Sequence, residues 1–283
     1  SGFVNRVAFT TQPVITIQDA DGNTVTASNA TVTVSSTGSA TLGGTTTMAA
    51  VSGVANFSGR NVKLTGSTGS KYLTATIPGG LTVTNSVTIT FGAATQLAIV
   101  QQAAGAVNGL AFSTQPQVVF QDISGNTVDT TDSVDVNVSS GGATWNGVYT
   151  MHAIGGKADF ASAPLGLSGP VGTYTIEYFY NGLTAHQTIE LSAGDAYRLA
   201  VRTNITSGAK IATGSTFSTT PSLIAYDQSG NTVDANDVVG DVSAQLKRTG
   251  SATSYDSVDA SVVGGYLAFP GLNFTVAPNS DYE

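Results

Sequence analysis

Several residue types that enzymes and membrane proteins depend on are scarce in this chain. It has no cysteine and only two histidines, His152 and His186, among its 283 residues. Disulfides and cysteine nucleophiles are therefore excluded. No Gly-x-Ser-x-Gly motif accompanies the two histidines, and no run reaches the roughly 18 apolar residues of a membrane span. The sequence predicts a protein that is not an enzyme, with no catalytic residue, no cofactor and no membrane span in this segment.

Charge is scarce as well. Charged residues make up 10% of the chain, with a net charge of −8, against roughly 25% charged residues in ordinary soluble domains. Acidic and basic residues number two and four in residues 1–92, seven and one in 93–192, and nine and five in 193–283. A chain without a basic stripe is not expected to bind nucleic acid. The uneven charge reflects either chance variation among exposed turns or an assembly in which a basic end meets an acidic end. The partners expected in such an assembly are copies of the chain or other surface-assembly subunits.

One pattern occurs three times along the chain, which indicates a tandem repeat. Its first marker is a six-residue segment with phenylalanine second and proline last, at residues 8–13, 111–116 and 216–221. Its second marker, Gly-Asn-Thr-Val, occupies residues 22–25, 125–128 and 230–233. A glycine four residues before a phenylalanine is the third marker: Gly53 and Phe57, Gly156 and Phe160, Gly265 and Phe269. The fourth is a tyrosine at the start of a strand: Tyr72, Tyr174 and Tyr282. We predict three domains, residues 1–92, 93–192 and 193–283.

Hydrophobic periodicity within each repeat is that of short β-strands. In the middle copy, Val134, Val136 and Val138 alternate with polar residues, as do Tyr174 and Ile176. About seven such strands per hundred residues, with Gly, Asn, Asp, Ser or Pro between them, predict an all-β fold of tandem immunoglobulin-like Greek-key β-sandwiches.

The two outer repeats are expected to be incomplete. The first lacks an opening strand equivalent to residues 96–100, and the third lacks closing strands equivalent to residues 173–180 and 184–191. Either the sequence is an excerpt of a longer chain, or a neighbouring subunit donates the strands, because open sheets expose pairing edges.

The Gly-Asn turn has a local explanation. Asp19, Asp122 and Asp227 each stand three residues before the turn glycine. An Asp carboxylate accepts a backbone N–H two residues on, and Gly-Asn supplies the positive φ that a reversing chain needs.

The repeat resembles the bacterial immunoglobulin-like repeats of invasin- and intimin-type adhesins and of surface-layer proteins. Residues 14–25, 30–34, 53–57 and 172–176 carry the resemblance, which covers nearly the whole chain. It implies an exported, extracellular, cell-surface protein. The function expected is a non-catalytic structural module of a self-assembling surface layer or stalk. The alternatives are an adhesive or carbohydrate-binding module, or immunoglobulin-like domains on the surface of a phage virion.

Acidic clusters in the turns suggest calcium. Asp19, Asp21 and Asn23 form Asp-x-Asp-x-Asn, but Thr24 and Ala30 stand where an EF-hand loop needs Gly and Glu. A looser interdomain calcium site stays open, and its alternative is a set of solvated turn acids. The candidate ligands are Asp19, Asp21, Asn23, Asp122, Asp129, Asp132, Asp227, Asp234 and Asp237.

The single tryptophan is a candidate ligand contact. Trp145 and Tyr149 lie in a glycine-flanked segment between strands. Exposed aromatic rings there would stack on a sugar. The alternative is that Trp145 covers the sandwich core.

Overall fold

The computed structural model describes residues 2–138, 141–204, 212, 214–238, 240–247, 254–263 and 266–273. In these ranges the regular elements are β-strands, apart from two single-turn 3-10 helices, Phe160–Ser162 and Ala235–Asp237. None of the helices described is long and apolar enough to cross a membrane. The predicted all-β fold of tandem immunoglobulin-like sandwiches is confirmed.

The first repeat contains one five-stranded sheet and two small ones. Its strands are β1 (Phe3–Val4), β2 (Val14–Thr16), β3 (Thr31–Ser36), β4 (Ala40–Gly43), β5 (Thr47–Ala49), β6 (Val54–Asn56), β7 (Lys63–Gly66), β8 (Gly69–Thr76) and β9 (Thr82–Thr90). The large sheet has the order β1-β9-β8-β3-β5, with β1 parallel to β9. The small sheets are β2-β6 and β4-β7.

The middle repeat has the same arrangement with one strand more. Its strands are β10 (Gln96–Gln101), β11 (Ala106–Val107), β12 (Gln117–Gln121), β13 (Ser133–Val138), β14 (Thr144–Asn146), β15 (Thr150–His152), β16 (Lys157–Asp159), β17 (Gly166–Ser168), β18 (Gly172–Tyr180) and β19 (Leu183–Ser192). The sheets are β11-β19-β18-β13-β15, β10-β12-β16 and β14-β17. The additional strand, β10, pairs with β12 along the edge that β2 leaves unpaired in the first repeat.

The third repeat is described in part. Its strands are β20 (Arg198–Thr203), β21 (Ser222–Tyr226), β22 (Thr232–Val233), β23 (Ser243–Lys247), β24 (Ser254–Asp259), β25 (Ser261–Val263) and β26 (Tyr266–Ala268). Strand β20 pairs with β21 as β10 pairs with β12. The expected absence of closing strands concerns residues that lie outside the described ranges, as do Gly265 and Tyr282 of the repeat markers.

Alternating side chains build the cores. In β3, Val32 and Val34 are buried while Thr31 and Thr33 are exposed, so one face of the strand is apolar. Among the described residues, buried hydrophobic side chains form three clusters, and each cluster lies within one predicted domain. The domain boundaries themselves stay a prediction.

The phenylalanine marker has the expected position, because Phe57, Phe160 and Phe269 are all buried. The tyrosine marker needs a correction. Gly69 and Gly172 start equivalent strands, but Tyr72 follows its glycine by three residues and Tyr174 by two. A shift of one residue moves a side chain to the opposite face of a sheet. Tyr72 is accordingly 53% exposed while Tyr174 is buried.

Candidate interdomain junction site

The Gly-Asn turns form as the sequence predicts. In the second repeat, Gly125 adopts a φ of 79°, and its N–H donates to the carbonyl of Asp122 at 2.9 Å. The Asp122 Oδ1 accepts the backbone N–H groups of Ser124 at 2.9 Å and Asn126 at 3.1 Å. Asp227 holds the third-repeat turn in the same way, accepting from Ser229 and Asn231. In each turn, the Oδ1 atom of the aspartate therefore accepts the backbone N–H groups of the turn, while its Oδ2 atom can accept hydrogen bonds from outside the turn.

The second oxygen of Asp122 binds the first domain. The linkers are the segments between β9 and β10 (residues 91–95) and between β19 and β20 (residues 193–197). Asp122 Oδ2 accepts the side-chain Nδ2–H of Asn5 at 2.8 Å and the backbone N–H of Gly92, in the first linker, at 2.9 Å. Asn5 follows β1 and also donates from Nδ2 to the hydroxyl of Ser124 at 2.9 Å. A single carboxylate thus joins the turn of one domain to the end of the preceding domain and to the chain between them.

Asn126 makes the second half of this contact. Its Nδ2 donates to the carbonyl of Gly66 at 2.9 Å, and its Oδ1 accepts the N–H of Thr68 at 2.9 Å. The N–H of Gly66 in turn donates to Oδ1 of Asn5 at 3.0 Å. Asn126 therefore pairs with the chain after β7 as a neighbouring strand would. These residues are called the junction network below.

The same network recurs between the second and third domains. Asp227 Oδ2 accepts from Nδ2 of Asn108 at 2.7 Å and from the N–H of Gly194 at 3.0 Å. Asn231 donates to the carbonyl of Gly169 at 2.8 Å and accepts from the N–H of Val171 at 2.8 Å. Two junctions of the same chemistry show that this contact belongs to the repeat and is not an accident of one boundary.

The two carboxylates are buried, so their ionisation depends on the hydrogen-bond donors around them. Asp122 and Asp227 are each 1% exposed. Burial alone raises the pKa of Asp122, but hydrogen bonds from Asn126, Gly92 and Asn5 outweigh it and lower that pKa to about 2. Burial likewise raises the pKa of Asp227, while Gly194, Asn231 and Asn108 lower it to about 2. Both carboxylates are therefore ionised at neutral pH.

Glycine is needed in the second linker because the chains approach closely. A Cβ built on Gly194 would lie 2.5 Å from the carbonyl oxygen of Asn108 and could not be accommodated without movement. At Gly92 the equivalent distance to the carbonyl oxygen of Asn5 is 3.2 Å, which is tight. At both linker glycines the chain therefore lies against the preceding domain, with little or no room for a larger residue.

The chain is similar to tandem immunoglobulin-like domains of bacterial surface proteins. With FdeC, an Escherichia coli adhesin, it shares 19% identity over 95% of this chain and 90% of that one, with a TM-score of 0.39. With invasin, a bacterial integrin-binding protein, it shares 16% identity over 94% of this chain and 52% of that one, with a TM-score of 0.36. With domains 4–9 of the surface-layer protein SbsC it shares 17% identity over 93% of this chain and 38% of that one, with a TM-score of 0.27.

No family model and no curated protein sequence matches the chain. The resemblance expected from the sequence is confirmed as a similarity of structure to adhesin and surface-layer domains. This chain spans about half of the invasin chain and a smaller share of the SbsC chain.

The calcium candidates fall into two groups. Asp122 and Asp227 already accept N–H donors on both oxygens, so a cation would have to displace those donors. The others are all exposed, in turns and loops and at a 3-10 helix: Asp19, Asp21, Asn23, Asp129, Asp132, Asp234 and Asp237. Within the described ranges, no three acidic or histidine side chains are placed to hold a metal ion.

Calcium binding stays a prediction and has a direct test. If the acids that flank the junctions bind calcium, the melting temperature should be higher in millimolar calcium than in EDTA, because a ligand bound only by the folded state stabilises that state. Asp129→Asn combined with Asp132→Asn should abolish the part of the shift that this loop contributes. Equal melting temperatures in the two buffers would contradict the hypothesis.

The structure separates the two aromatic candidates. Trp145 is half-buried in β14 and meets Phe112 edge to face, with ring centroids 6.3 Å apart. Its Nε1 is buried without a hydrogen-bond partner in the described part of the chain. Tyr149 is 62% exposed. Trp145 therefore covers the core, and Tyr149 presents its ring to solvent; ligand contact by either residue stays a prediction.

Proposed function

We propose that this chain is a non-catalytic structural segment of an extracellular, cell-surface protein, in which consecutive immunoglobulin-like domains form a stalk or a self-assembling layer. The junction network carries this proposal. Domains joined by a free linker move relative to one another by default. Here each linker donates from a glycine N–H to a buried carboxylate of the next domain.

The two networks favour a structural role because they couple three domains in series. At each boundary an Asn from the preceding domain and an Asp from the following domain are less than 10% exposed and hydrogen-bonded to each other. Separating the domains would replace these hydrogen bonds by bonds to water, at a net cost of about 1.5–3 kcal/mol for each bond to an ionised carboxylate. The similarity to adhesin and surface-layer domains supports the same proposal at the level of architecture.

Negative-stain electron microscopy of the native assembly tests the proposal. A regular sheet supports a layer, and straight projections of uniform length support a stalk. Filaments or knobs on phage particles would support the virion alternative instead. Isolated particles whose domains adopt many relative angles would contradict a structural role of either kind.

An adhesive module is the second candidate, and exposed apolar side chains of the middle domain favour it. Tyr149 is 62% exposed, Val148 52% and Ile154 85%. Aromatic side chains are enriched at contact surfaces, so the exposed ring of Tyr149 is the residue that this candidate depends on. Screening against glycans and host-surface proteins should find a ligand whose affinity falls with Tyr149→Ala and is unchanged by Tyr72→Ala, an exposed tyrosine of another domain. Equal effects of the two substitutions would contradict this candidate.

A further inference from the structure

The first domain has an open groove along β2. The groove is lined by Ile15 and Ile17 of the β2 segment, by Val32 and Ala75, and by the chain around Val83, and its volume is about 140 Å³. Strand β2 pairs with β6 on one edge, and no strand among the described residues pairs with its other edge. An unpaired edge beside apolar side chains is a template for another strand.

The middle domain shows what fills the equivalent groove. There β10 pairs with β12, placing Leu97 opposite Phe120 and Ile99 opposite Val118. Phe120 and Val118 are fully buried. The pattern of repeats equates them with Ile17 and Ile15 of the first domain, which are only half-buried. The difference in burial marks the site that a strand would cover.

The chain beyond the strand also lacks its partner in the first domain. In the middle domain, the side chain of Gln187 accepts the N–H of Ala103 at 2.9 Å and donates to its carbonyl at 3.1 Å, which fixes the segment after β10. The strand pairings equate Gln187 with Asn85 of the first domain. Asn85 is exposed. The first domain therefore has a side-chain amide at the position where the middle domain uses the Gln187 amide to bind the segment after β10.

The first Gly-Asn turn has the same geometry as the two turns that contact a preceding domain, but no other described domain contacts it. Asp19 Oδ1 accepts the N–H groups of Asp21 at 3.0 Å and Asn23 at 2.9 Å, as Asp122 does in its own turn. Asp19 and Asn23 are nevertheless exposed, and no hydrogen bond from another described domain reaches them. The turn already has the geometry that the second and third domains use to bind a preceding domain.

We propose that the first domain binds a preceding immunoglobulin-like repeat of the same kind. The occupant adds a strand of the type seen in β10 to the free edge of β2. It also places a domain end with an Asn side chain and a linker glycine on the turn formed by Asp19 and Asn23. This inference names the domain that binds to the first domain. It does not depend on whether the protein forms a layer or a stalk.

The pairings of β10 with β12 and of β20 with β21 indicate the register that a strand added to β2 would have. Strand β20 pairs with β21 in the pattern of β10 with β12, including an irregularity before the last pair in both. The added strand should therefore run antiparallel to β2, with apolar side chains opposite Ile17 and Ile15. A strand with polar residues at those two positions should not bind, because they would face the apolar groove.

A peptide with the sequence of residues 93–103 tests the strand site on the full chain. The equivalent edges of the second and third domains are occupied by β10 and β20, so the peptide should bind once, to the first domain. Hydrogen exchange of the β2 amides should slow by about tenfold or more at saturation. A peptide with L97D and I99D is the control. Unchanged exchange with both peptides, or protection in the other domains, would overturn the proposal.

A covalent extension keeps the test independent of peptide solubility. The spacing of the repeats places a copy of residues 93–103 directly before Ser1 in the position that β10 has relative to β11. This extension should raise the melting temperature of the first domain by about 5 °C or more, and the same extension with L97D and I99D should not. Equal melting of the two would contradict the strand site.

Duplication of the first repeat tests the turn. With a copy of residues 1–103 placed before Ser1, the original Asp19 acquires a preceding domain that carries Asn5, Gly66 and Gly92. Asp19→Ala at the original position should then lower the melting temperature by about 5 °C or more. The same substitution in the unextended chain should lower it much less, because there Asp19 holds only its own turn. If both chains respond equally, the turn does not receive a domain.

Discussion

Phe160→Ala is expected to destabilise the middle domain by about 3–5 kcal/mol, because it removes a fully buried ring from a packed core. Phe160 belongs to the largest buried cluster, and its ring centroid lies 6.1 Å from that of Tyr178. Phe160 is also the first residue of the 3-10 helix Phe160–Ser162. A cavity at this position cannot be refilled by water, since its surroundings are apolar.

Urea unfolding followed by tryptophan fluorescence measures this effect for the middle domain alone. Trp145 is the only tryptophan in the chain, and it packs against the same cluster. Phe179→Ala is the matched control, because Phe179 is 37% exposed on β18 of the same domain. It should cost less than about 1 kcal/mol. Similar losses for the two variants would contradict the expectation that the buried Phe160 ring contributes more to stability than the exposed Phe179 ring.

Much of the fold could be read from the sequence because its signals are local. Alternation over a few residues identified the buried faces of strands such as β13, and the Asp that fixes each turn lies only three residues before its glycine. The tyrosine marker failed for a local reason too. Three copies of a tyrosine near a strand start do not reveal an offset of one residue, yet that offset decides which face the ring occupies.

The junction network could not be predicted in the same way. Asn5 and Asp122 are 117 residues apart in sequence, and nothing local indicates that they meet. A signal was nevertheless present. Asn5 and Asn108 recur at the repeat spacing, and Gly92 and Gly194 recur in the two linkers, although neither pair is needed to form a strand or a turn. Polar residues and glycines that repeat without a local role are candidates for contacts between repeats.

Acid should weaken the junctions. Asp122 and Asp227 have pKa values of about 2 in the folded chain, lowered by their hydrogen bonds, against about 3.9 for an unfolded Asp. A carboxylate whose pKa is lowered by folding contributes stability above its unfolded pKa and loses it as the pH falls through its folded pKa. The contribution, about 2 kcal/mol for each carboxylate, is therefore expected to be complete at pH 5 and to disappear between about pH 4 and pH 2.

Asp122→Ala is expected to reduce stability at neutral pH by about 2–4 kcal/mol and to loosen the contact between the first two domains. The substitution leaves the Asn5 side chain and the Gly92 N–H without their shared acceptor in a buried position. Hydrogen exchange should accelerate at Gly92 and around Gly66, and small-angle scattering should report a wider range of interdomain angles. The stability difference from the unsubstituted chain should narrow as the pH falls from 4 to 2, because protonation of Asp122 removes the same interaction.

Asp19→Ala is the matched control, since it removes the equivalent aspartate from a turn of the same geometry whose carboxylate is exposed. It takes away the acceptor within the turn but none between domains, so it should cost less than about 1 kcal/mol and leave the interdomain angles unchanged. The contrast isolates what the carboxylate does at a boundary from what it does in its own turn. Equal losses for the two substitutions, with unchanged scattering for both, would show that the aspartate only shapes the turn and that the junctions are held by other contacts.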